Sequence, residues 1–563
     1  MILPSDCARF ALLLVSLVAM DGVWRGGAAS AFEVEIAIDA TEPIGPLRPI
    51  WRFFGADEPN YVYMKDGEKL MEKLGGMRPG EVFFRAHNLL TSGDKTPALK
   101  WGSTNAYTED ENGDPVYDWE VIDLMFDTML ERGVRPYVEV GFMPEALSRK
   151  PTPYRHDWRP GMRYSRIMTG WRHPPKDYGK WEELVYQLAL HCVERYGMDE
   201  VRGWYWETWN EANILPDGYW GGTREEFFRL HDHTIAAVRR AIPDAIVGGP
   251  DSAGDGGDFT RAFLEHCLRG DNAATGETGV PIDFIAFHAK GAPTHEQGHV
   301  RMGIANQLRT IDRGFGIVAS FPELKRTPIV IGESDPEGCA ACQGPMFSYR
   351  NGTVYSSYTA ASFARKHELA DKHGVRLEGA LTWAFEFEDQ PYFAGFRQLA
   401  TNAVPLPVLN VLRMMARMSG ERLASTSSSQ VALDAILRDG VRGEPDVGVL
   451  ASRDGGTVWA LVWHYHDDDV YGPDAEVTLR LTGWGESDAA VTHHRVDEDH
   501  SNSYAEWKRM GSPGAPNEKQ YGELMEASEL ATVEQGAERG EGALTLRFDL
   551  PRQGVSLLEI SPN

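Results

Sequence analysis

The sequence predicts an α/β protein, a (β/α)8 TIM barrel carrying an accessory antiparallel β-sandwich domain. Three observations lead there. Eight short apolar or β-branched runs alternate with longer amphipathic stretches over about residues 45–415. After Gly420 the helical period gives way to strand-like runs. The 563 residues are enough for a barrel with extended loops beside a second domain.

Taken in order, the chain opens on a leader. Phe10–Met20 is a run of 11 residues, apolar but for Ser16, after Arg9 and before the small-residue pattern Ala29-Ser30-Ala31. This is the pattern of a secretory signal over residues 1–31; the run falls short of the roughly 20 residues a membrane helix needs. The mature protein is therefore expected to be periplasmic or secreted, with no membrane attachment. Phe32–Ile38 alternates like a strand, and residues 32–44 are expected to join the β-domain. The barrel, over 45–420, takes its strands from Trp51–Phe54, Val82–His87, Arg135–Phe142, Trp204–Trp209, Ala245–Gly249, Phe284–His288, Pro328–Glu333 and Gly379–Phe385. Val121–Arg132, Trp181–Tyr196 and Arg224–Ala241 are among the helices between them. Ser425–Ser429 is a small polar stretch. Over 421–563 the strand-like runs are Thr457–Tyr465, Glu476–Leu481, Ala490–Val496, Leu544–Leu550 and Val555–Ile560, with a short helix near Leu524–Leu530.

Composition narrows the function. Lys and Arg number 56 against 83 Asp and Glu, a net charge of −27, which opposes the basic face that nucleic acid or anionic lipid requires. Cys7 falls in the leader. Cys339-Ala-Ala-Cys342 lacks the second pair or nearby histidines that zinc would want; in an oxidising compartment a tight disulfide is expected. Cys192 and Cys267 lie in helical patterns and are expected to be buried thiols. Asp467-Asp468-Asp469 and Asp497-Glu498-Asp499 lack the spacing of a calcium loop and read as solvated loops. No metal and no cofactor is expected.

In a (β/α)8 barrel the working residues stand at the C-terminal ends of the strands. The fourth run ends in Trp206-Glu207-Thr208-Trp209-Asn210-Glu211 and the seventh in Ile331-Gly332-Glu333, so two carboxylates, Glu211 and Glu333, face one mouth. Such a pair suits glycoside hydrolysis. The leaving oxygen of an acetal needs a proton, and the anomeric centre, turning cationic, needs a nucleophile or counter-charge. Glu207, four residues before Glu211, is expected in the barrel wall, and Glu139 in mid-strand. Asp335, Glu337, Glu386, Glu388 and Asp389 fall in mouth loops and are further candidates for the lining.

These residues carry a family resemblance. Trp209-Asn210-Glu211 followed by a loop with Trp220 resembles the acid/base segment of glycoside hydrolase clan A. More closely, the chain is similar to family 39, which holds β-xylosidases and α-L-iduronidases. The matching stretches are Arg85-Ala86-His87, Val138-Glu139-Val140-Gly141-Phe142-Met143-Pro144, Gly248-Gly249-Pro250, Asp283-Phe284-Ile285-Ala286-Phe287-His288, Glu333-Ser334-Asp335-Pro336 and Phe393-Ala394-Gly395-Phe396. The resemblance continues in His500-Ser501-Asn502-Ser503-Tyr504, Trp507 and Gly511-Ser512-Pro513. It implies a retaining mechanism with Glu211 as acid/base and Glu333 as nucleophile. It also implies that Asn210 bonds the sugar 2-hydroxyl and that His87 and His288 hold other hydroxyls. Trp209, Trp220 and Trp383 are candidates for the sugar face, and equally for packing.

His288-Ala289-Lys290-Gly291 departs from the His-x-Tyr of many family β-xylosidases and leans toward the iduronidase branch, as does Glu333-Ser334-Asp335-Pro336. Longer runs resemble bacterial secreted β-xylosidases, and these include the same His288-Ala289-Lys290-Gly291, with Glu337-Gly338-Cys339-Ala340-Ala341-Cys342 and Trp383-Ala384-Phe385-Glu386-Phe387-Glu388-Asp389-Gln390. The expectation is an exo-acting β-xylosidase on xylo-oligosaccharides; the alternative is an α-L-iduronidase-like or other family 39 glycosidase on a uronate-bearing substrate. Lys290 is then neutralised by a mouth carboxylate such as Asp335, or touches an acidic sugar. Arg397 is a second cation for a uronate, or a surface ion pair.

Overall fold

The computed structural model describes residues 30–155, 159, 162–163, 166–215, 218–383, 385–485, 488–540 and 542–563. The expected leader, but for its last two residues, and Cys7 lie outside them.

The barrel strands are β1 (Phe53–Ala56), β2 (Val82–Ala86), β3 (Val134–Glu139), β4 (Tyr205–Glu207), β5 (Ile246–Ser252), β6 (Phe284–His288), β7 (Pro328–Glu333) and β8 (Arg376–Ala380), continued beyond Leu381 by β9 (Thr382–Trp383). The sheet runs β8-β7-β6-β5-β4-β3-β2-β1-β9, and every neighbouring pair is parallel. Because β8 and β9 are successive pieces of one stretch, pairing of β8 with β7 and of β9 with β1 curls the sheet closed. Eight helices follow the strands in turn: α1 (Lys65–Met77), α2 (Glu120–Glu131), α3 (Tyr178–Tyr196), α4 (Arg224–Ala241), α5 (Asp258–Arg269), α6 (Ile304–Ala319), α7 (Thr353–His373) and α8 (Pro407–Arg417). This is the barrel the alternating pattern predicts. The strands are nearly all buried because helices cover the outside and side chains fill the inside.

Aromatic rings fill the interior. Phe53, Phe83, Tyr137, Tyr205 and Phe284 form one buried cluster with Val330, Leu381 and Trp383. Phe53 stacks on Phe83 at 5.2 Å between centroids and meets Tyr205 edge-on at 5.6 Å. Gly379 makes the room: a Cβ there would stand 2.5 Å from the Phe53 ring. With the lower interior packed, only the C-terminal mouth is left for chemistry.

The second sheet has ten strands in continuous hydrogen-bonded order, antiparallel except where Phe32–Pro46 runs parallel to Ala475–Thr482. Phe32–Pro46 also pairs antiparallel with Glu421–Ser427, so the polar stretch beginning at Ser425 starts inside a strand. Val34, Ile36 and Ile38 enclose one core with Val447, Val449, Leu479, Leu481, Leu558 and Ile560. Along Thr457–Tyr465 the alternate residues Trp459, Leu461 and Trp463 join the barrel's core instead, against α7. Arg365 of α7 and the indole of Trp463 both donate to Asp446, at 2.8 and 2.9 Å.

The acidic runs differ from expectation. Asp467 is buried, accepting from Tyr465 (2.6 Å) and the Val441 amide (3.1 Å), and Asp468 pairs with Arg301 at 2.6 Å. Asp497 is buried against Arg495 and His500. These carboxylates pin loops, because Arg301, the Val441 amide, Arg495 and His500 supply cations and N–H donors that composition alone does not locate. Cys339 and Cys342 form a disulfide, and Cys192 and Cys267 are free and buried. Among the described residues no helix is long and apolar enough to cross a membrane.

Truncating Phe53 to Ala removes a ring that no neighbour can replace. It is expected to cost about 3–5 kcal/mol, seen as a lowered guanidinium midpoint for the barrel transition.

Candidate active site

The mouth is organised around a buried cation. Arg85, near the end of β2, is 0% exposed. Its guanidinium bonds Glu207 at the end of β4, Glu139 at the end of β3 (3.0 Å) and Asp251 of β5. It also donates through Nη2 to Asn210 Oδ1 at 3.1 Å and lies 3.8 Å from Glu333 Oε1 at the end of β7. Burial works against its charge, but Asp251, Glu207 and Glu139 hold its pKa well above the ordinary arginine value. Desolvation pushes the Glu207 carboxyl up to about 8 despite Arg85, with Asp251 and Glu139 adding to the rise.

Glu333 is the last residue of β7 and 6% exposed. Besides Arg85, three cations meet its carboxylate. Lys290 Nζ donates to Oε2 at 2.6 Å, while His87 Nε2 and His288 Nδ1 lie 3.6 and 3.8 Å from Oε1. Burial alone would raise this carboxyl; Lys290, His288 and His87 together hold it well below the usual range. It is therefore ionised at neutral pH.

Glu211 is not in strand β4, as expected from its spacing with Glu207, but beyond it. The chain leaves extended structure after Glu207, and Glu211 takes φ +49°, in the left-handed region. Its amide donates to the Asp251 carbonyl at 3.0 Å, which fixes the turn. Its side chain is 17% exposed, and Oε1 meets His288 Nδ1 at 2.8 Å. The other nitrogen of His288, Nε2, is 2.9 Å from Asp251 Oδ2. Desolvation opposes the imidazolium, but Asp251 and Glu333 raise its pKa to about 10. Asp251 itself is held down by Arg85 and His288 against its burial. A Cβ at residue 332 would fall 1.8 Å from Asp251 Oδ1, so Gly332 is what lets Asp251 lie beside Glu333.

His87, past the end of β2, pairs through Nδ1 with Glu139 at 2.5 Å. Burial opposes its protonation, yet Glu139 and Glu333 raise it to about 9. Trp383 leans on it at 4.3 Å between centroids and also covers Arg85 at 5.2 Å.

Lys290 joins Glu333 to Asp335, 2.6 Å from each. Asp335 Oδ1 accepts from the Trp383 amide (2.8 Å) and pairs with Arg397 (2.7 Å). Arg397 is 0% exposed, so it is neither a surface ion pair nor open to a ligand; its Nε bonds Glu337 at 2.6 Å. Burial disfavours the Glu337 charge, but Arg397 and Arg350 draw its pKa far down. Arg350 in turn donates to the carbonyls of Cys339 (2.7 Å) and Ala340 (3.1 Å) in the disulfide loop.

Other expectations are corrected by burial. Trp209 and Trp220 are 1% and 0% exposed, with their indole N–H groups bonded to the Tyr219 and Thr223 carbonyls. They pack on each other at 5.3 Å and offer no face to a sugar. Glu388 accepts from the Asp66 and Gly67 amides at the start of α1, and Glu386 from the Ala403 amide. Both serve loops. Sequence reasoning assigned no role to Arg85 and did not single out Asp251. A charged residue within an apolar strand is the signal that marks Arg85. Among the described residues no group of His, Cys, Asp or Glu side chains is arranged to hold a metal ion.

Comparison with known proteins places this arrangement. The profile of "Glycosyl hydrolases family 39" matches residues 34–544. A β-xylosidase of Geobacillus stearothermophilus is 26% identical over 513 residues, 88% of each chain. An α-L-iduronidase of Mus musculus is 26% identical over 568 residues, covering 93% of this chain and 80% of that one. The crystal structure of a monomeric β-xylosidase from Caulobacter crescentus CB15 superposes with a TM-score of 0.71 at 23% identity, covering 94% of this chain and 99% of that one.

The two raised imidazoles set a pH dependence. Their stabilisation is fully present below the ordinary histidine pKa of about 6.5 and is lost as pH rises through about 9 for His87 and about 10 for His288. The melting temperature is expected to fall between about pH 8 and about pH 10.5. His288→Gln should lower it near neutrality and flatten that alkaline fall, read by scanning fluorimetry across the pH series.

Proposed function

The chain belongs to glycosyl hydrolase family 39 and is a glycoside hydrolase, and from that premise we propose a retaining, exo-acting β-xylosidase (xylan 1,4-β-xylosidase). In this reading Glu333 is the nucleophile and Glu211 the acid/base. The observation that carries it is His288 Nδ1, which reaches both carboxylates, 2.8 Å from Glu211 Oε1 and 3.8 Å from Glu333 Oε1. Two oxygens within one nitrogen's reach suit the separation of about 5–5.5 Å used for retention better than the about 6.5–9.5 Å that admits a water between them.

The chemistry follows from the charges. Glu333, held ionised by Lys290, His288 and His87, attacks the anomeric carbon. Glu211 gives its proton to the departing oxygen as the glycosidic bond breaks. A sugar ester of Glu333 remains. Glu211, now a carboxylate, takes a proton from water, whose oxygen attacks the same carbon and frees Glu333. Arg85 occupies Asn210 Oδ1, which turns the Asn210 Nδ2 donors to the 2-hydroxyl.

Xylose is favoured over a uronate by the state of the two cations. Lys290 already pairs with Glu333 and Asp335, and Arg397 with Asp335 and Glu337, so a further carboxylate would meet neutralised partners. The second reading, an α-L-iduronidase-like activity, draws on the 17% exposure of the Lys290 side chain beside Glu333 and on the relatives of that name. We also propose export to the periplasm or medium; a disulfide at Cys339–Cys342 is at home there.

Wild type is expected to hydrolyse an aryl β-xyloside and not an aryl α-iduronide, with the β-anomer of xylose as the first product by NMR. Inversion, or turnover of the iduronide alone, would sink the corresponding part of the reading. Glu333→Ala and Glu211→Ala should each lower kcat by more than about 10³-fold at unchanged fold, the latter less on an aryl glycoside with a good leaving group. Lys290→Ala that spares the xyloside and abolishes a uronide would favour the second reading.

A further inference from the structure

The proposed chemistry leaves one charged group at the mouth unused. Asp57, directly after β1, and Lys100, in the loop after β2, form an ion pair 4% and 3% exposed. Desolvating such a pair costs several kcal/mol per ion before their attraction returns it. A pair placed for fold alone would be as well served by apolar side chains of the same volume, which makes this one a candidate for ligand binding. Its position says which ligand. Asp57 Oδ1 lies 3.5 Å from His87 Nε2, and that same nitrogen lies 3.6 Å from Glu333 Oε1. Asp57 and Glu333 thus reach the same nitrogen of one imidazole, which sets the pair beside the nucleophile.

The surroundings hold the pair in place. Asn88 Nδ2 donates to the Asp57 carbonyl at 3.0 Å. Lys100 Nζ sits 5.2 Å over the Trp101 ring, and Trp101 stacks on His87 at 5.7 Å with 12° between planes. Trp101 has φ +67°, a backbone state that costs a bulky residue and persists where neighbours enforce it. Glu58 is buried next door, and desolvation together with Asp57 pushes its carboxyl well up. The pair sets a carboxylate acceptor beside an ammonium donor.

We propose that Asp57 and Lys100 are specificity-determining residues that bind neighbouring hydroxyls of the sugar held at Glu333, those at C3 and C4, since Asn210 takes the 2-hydroxyl. The proposal rests on the reading of Glu333 as the residue that meets the anomeric carbon. A carboxylate accepts from one hydroxyl while the ammonium donates to the next, a match for a vicinal diol. A sugar whose 4-hydroxyl carries another residue cannot fill this corner, which accounts for action at the non-reducing end.

The test is a double-mutant cycle between enzyme and substrate, using Asp57→Asn and Lys100→Met with an aryl β-xyloside and its 3-deoxy and 4-deoxy analogues. On wild type, removing the bound hydroxyl should lower kcat/KM on the order of 10–100-fold, the scale of a hydrogen bond to a charged group. In Asp57→Asn or Lys100→Met the same deoxygenation should cost less than about threefold, because the partner is already gone. Full sensitivity to deoxygenation in both variants overturns the proposal. So does a wild type indifferent to both deoxy analogues, a measurement that needs no variant to fold. If wild type hydrolyses a different aryl glycoside, the xylose reading fails by itself, and the cycle is run with deoxy analogues of that sugar. A pair of carboxylates other than Glu211 and Glu333 would show as activity surviving Glu333→Ala, separately from the cycle.

Discussion

One desolvated guanidinium holds the mouth of the barrel together. Arg85 stands on β2 with no solvent access, and its partners come from β3, β4 and β5, with Glu333 of β7 close by. A buried charge this deep is tolerable only when its neighbours replace water. The replacement is crowded, so the carboxylates compete: Glu207 is driven toward its protonated form while Asp251 stays ionised. The residues that flank Arg85 are also those that orient the site. Asp251 holds His288, Glu139 holds His87, and Asn210 is fixed by Arg85 itself. Removing the guanidinium would take from Glu207 the cation it pairs with and leave Asp251 and Glu139 to His288 and His87.

A second layer meets this one at Glu333. Lys290 connects it to Asp335, and Arg397 carries the connection to Glu337, Arg350 and the disulfide loop. Ionisation of Glu333 is therefore a property of its surroundings. In a chain with 27 more acidic than basic residues, the cations nearest the proposed nucleophile outnumber its own charge. Global acidity opposes the basic face that nucleic acid requires and says nothing about this local balance.

Much of the architecture was legible because it repeats. Strand-and-helix alternation located all eight barrel strands to within a few residues, since each is buried on both faces and flanked by an amphipathic helix. Thr457–Tyr465 matches its predicted bounds. Glu421–Ser427 did not read as a strand; its polar residues are carried by sheet pairing on both sides, which a local pattern does not report. Of the site, strand-end position picked out Glu333 and the segment holding Glu211. It did not show that Glu211 lies past the strand in a left-handed turn, because that turn is fixed by a bond to β5, 40 residues away.

The sequence by itself determined the barrel, the accessory sheet, the family motifs and the carboxylates worth attention. These depend on spacing, and spacing is local. Only the tertiary structure decided who neutralises whom. Arg397 looked like a free or surface cation and is buried between Asp335 and Glu337. Trp209 and Trp220 read equally as sugar platforms or as packing, and they are wall packing. Asp57 and Lys100, 43 residues apart, meet at one corner of the mouth. Coulomb energy depends on distance in space and on the water excluded around a pair, and neither quantity exists until the strands have closed.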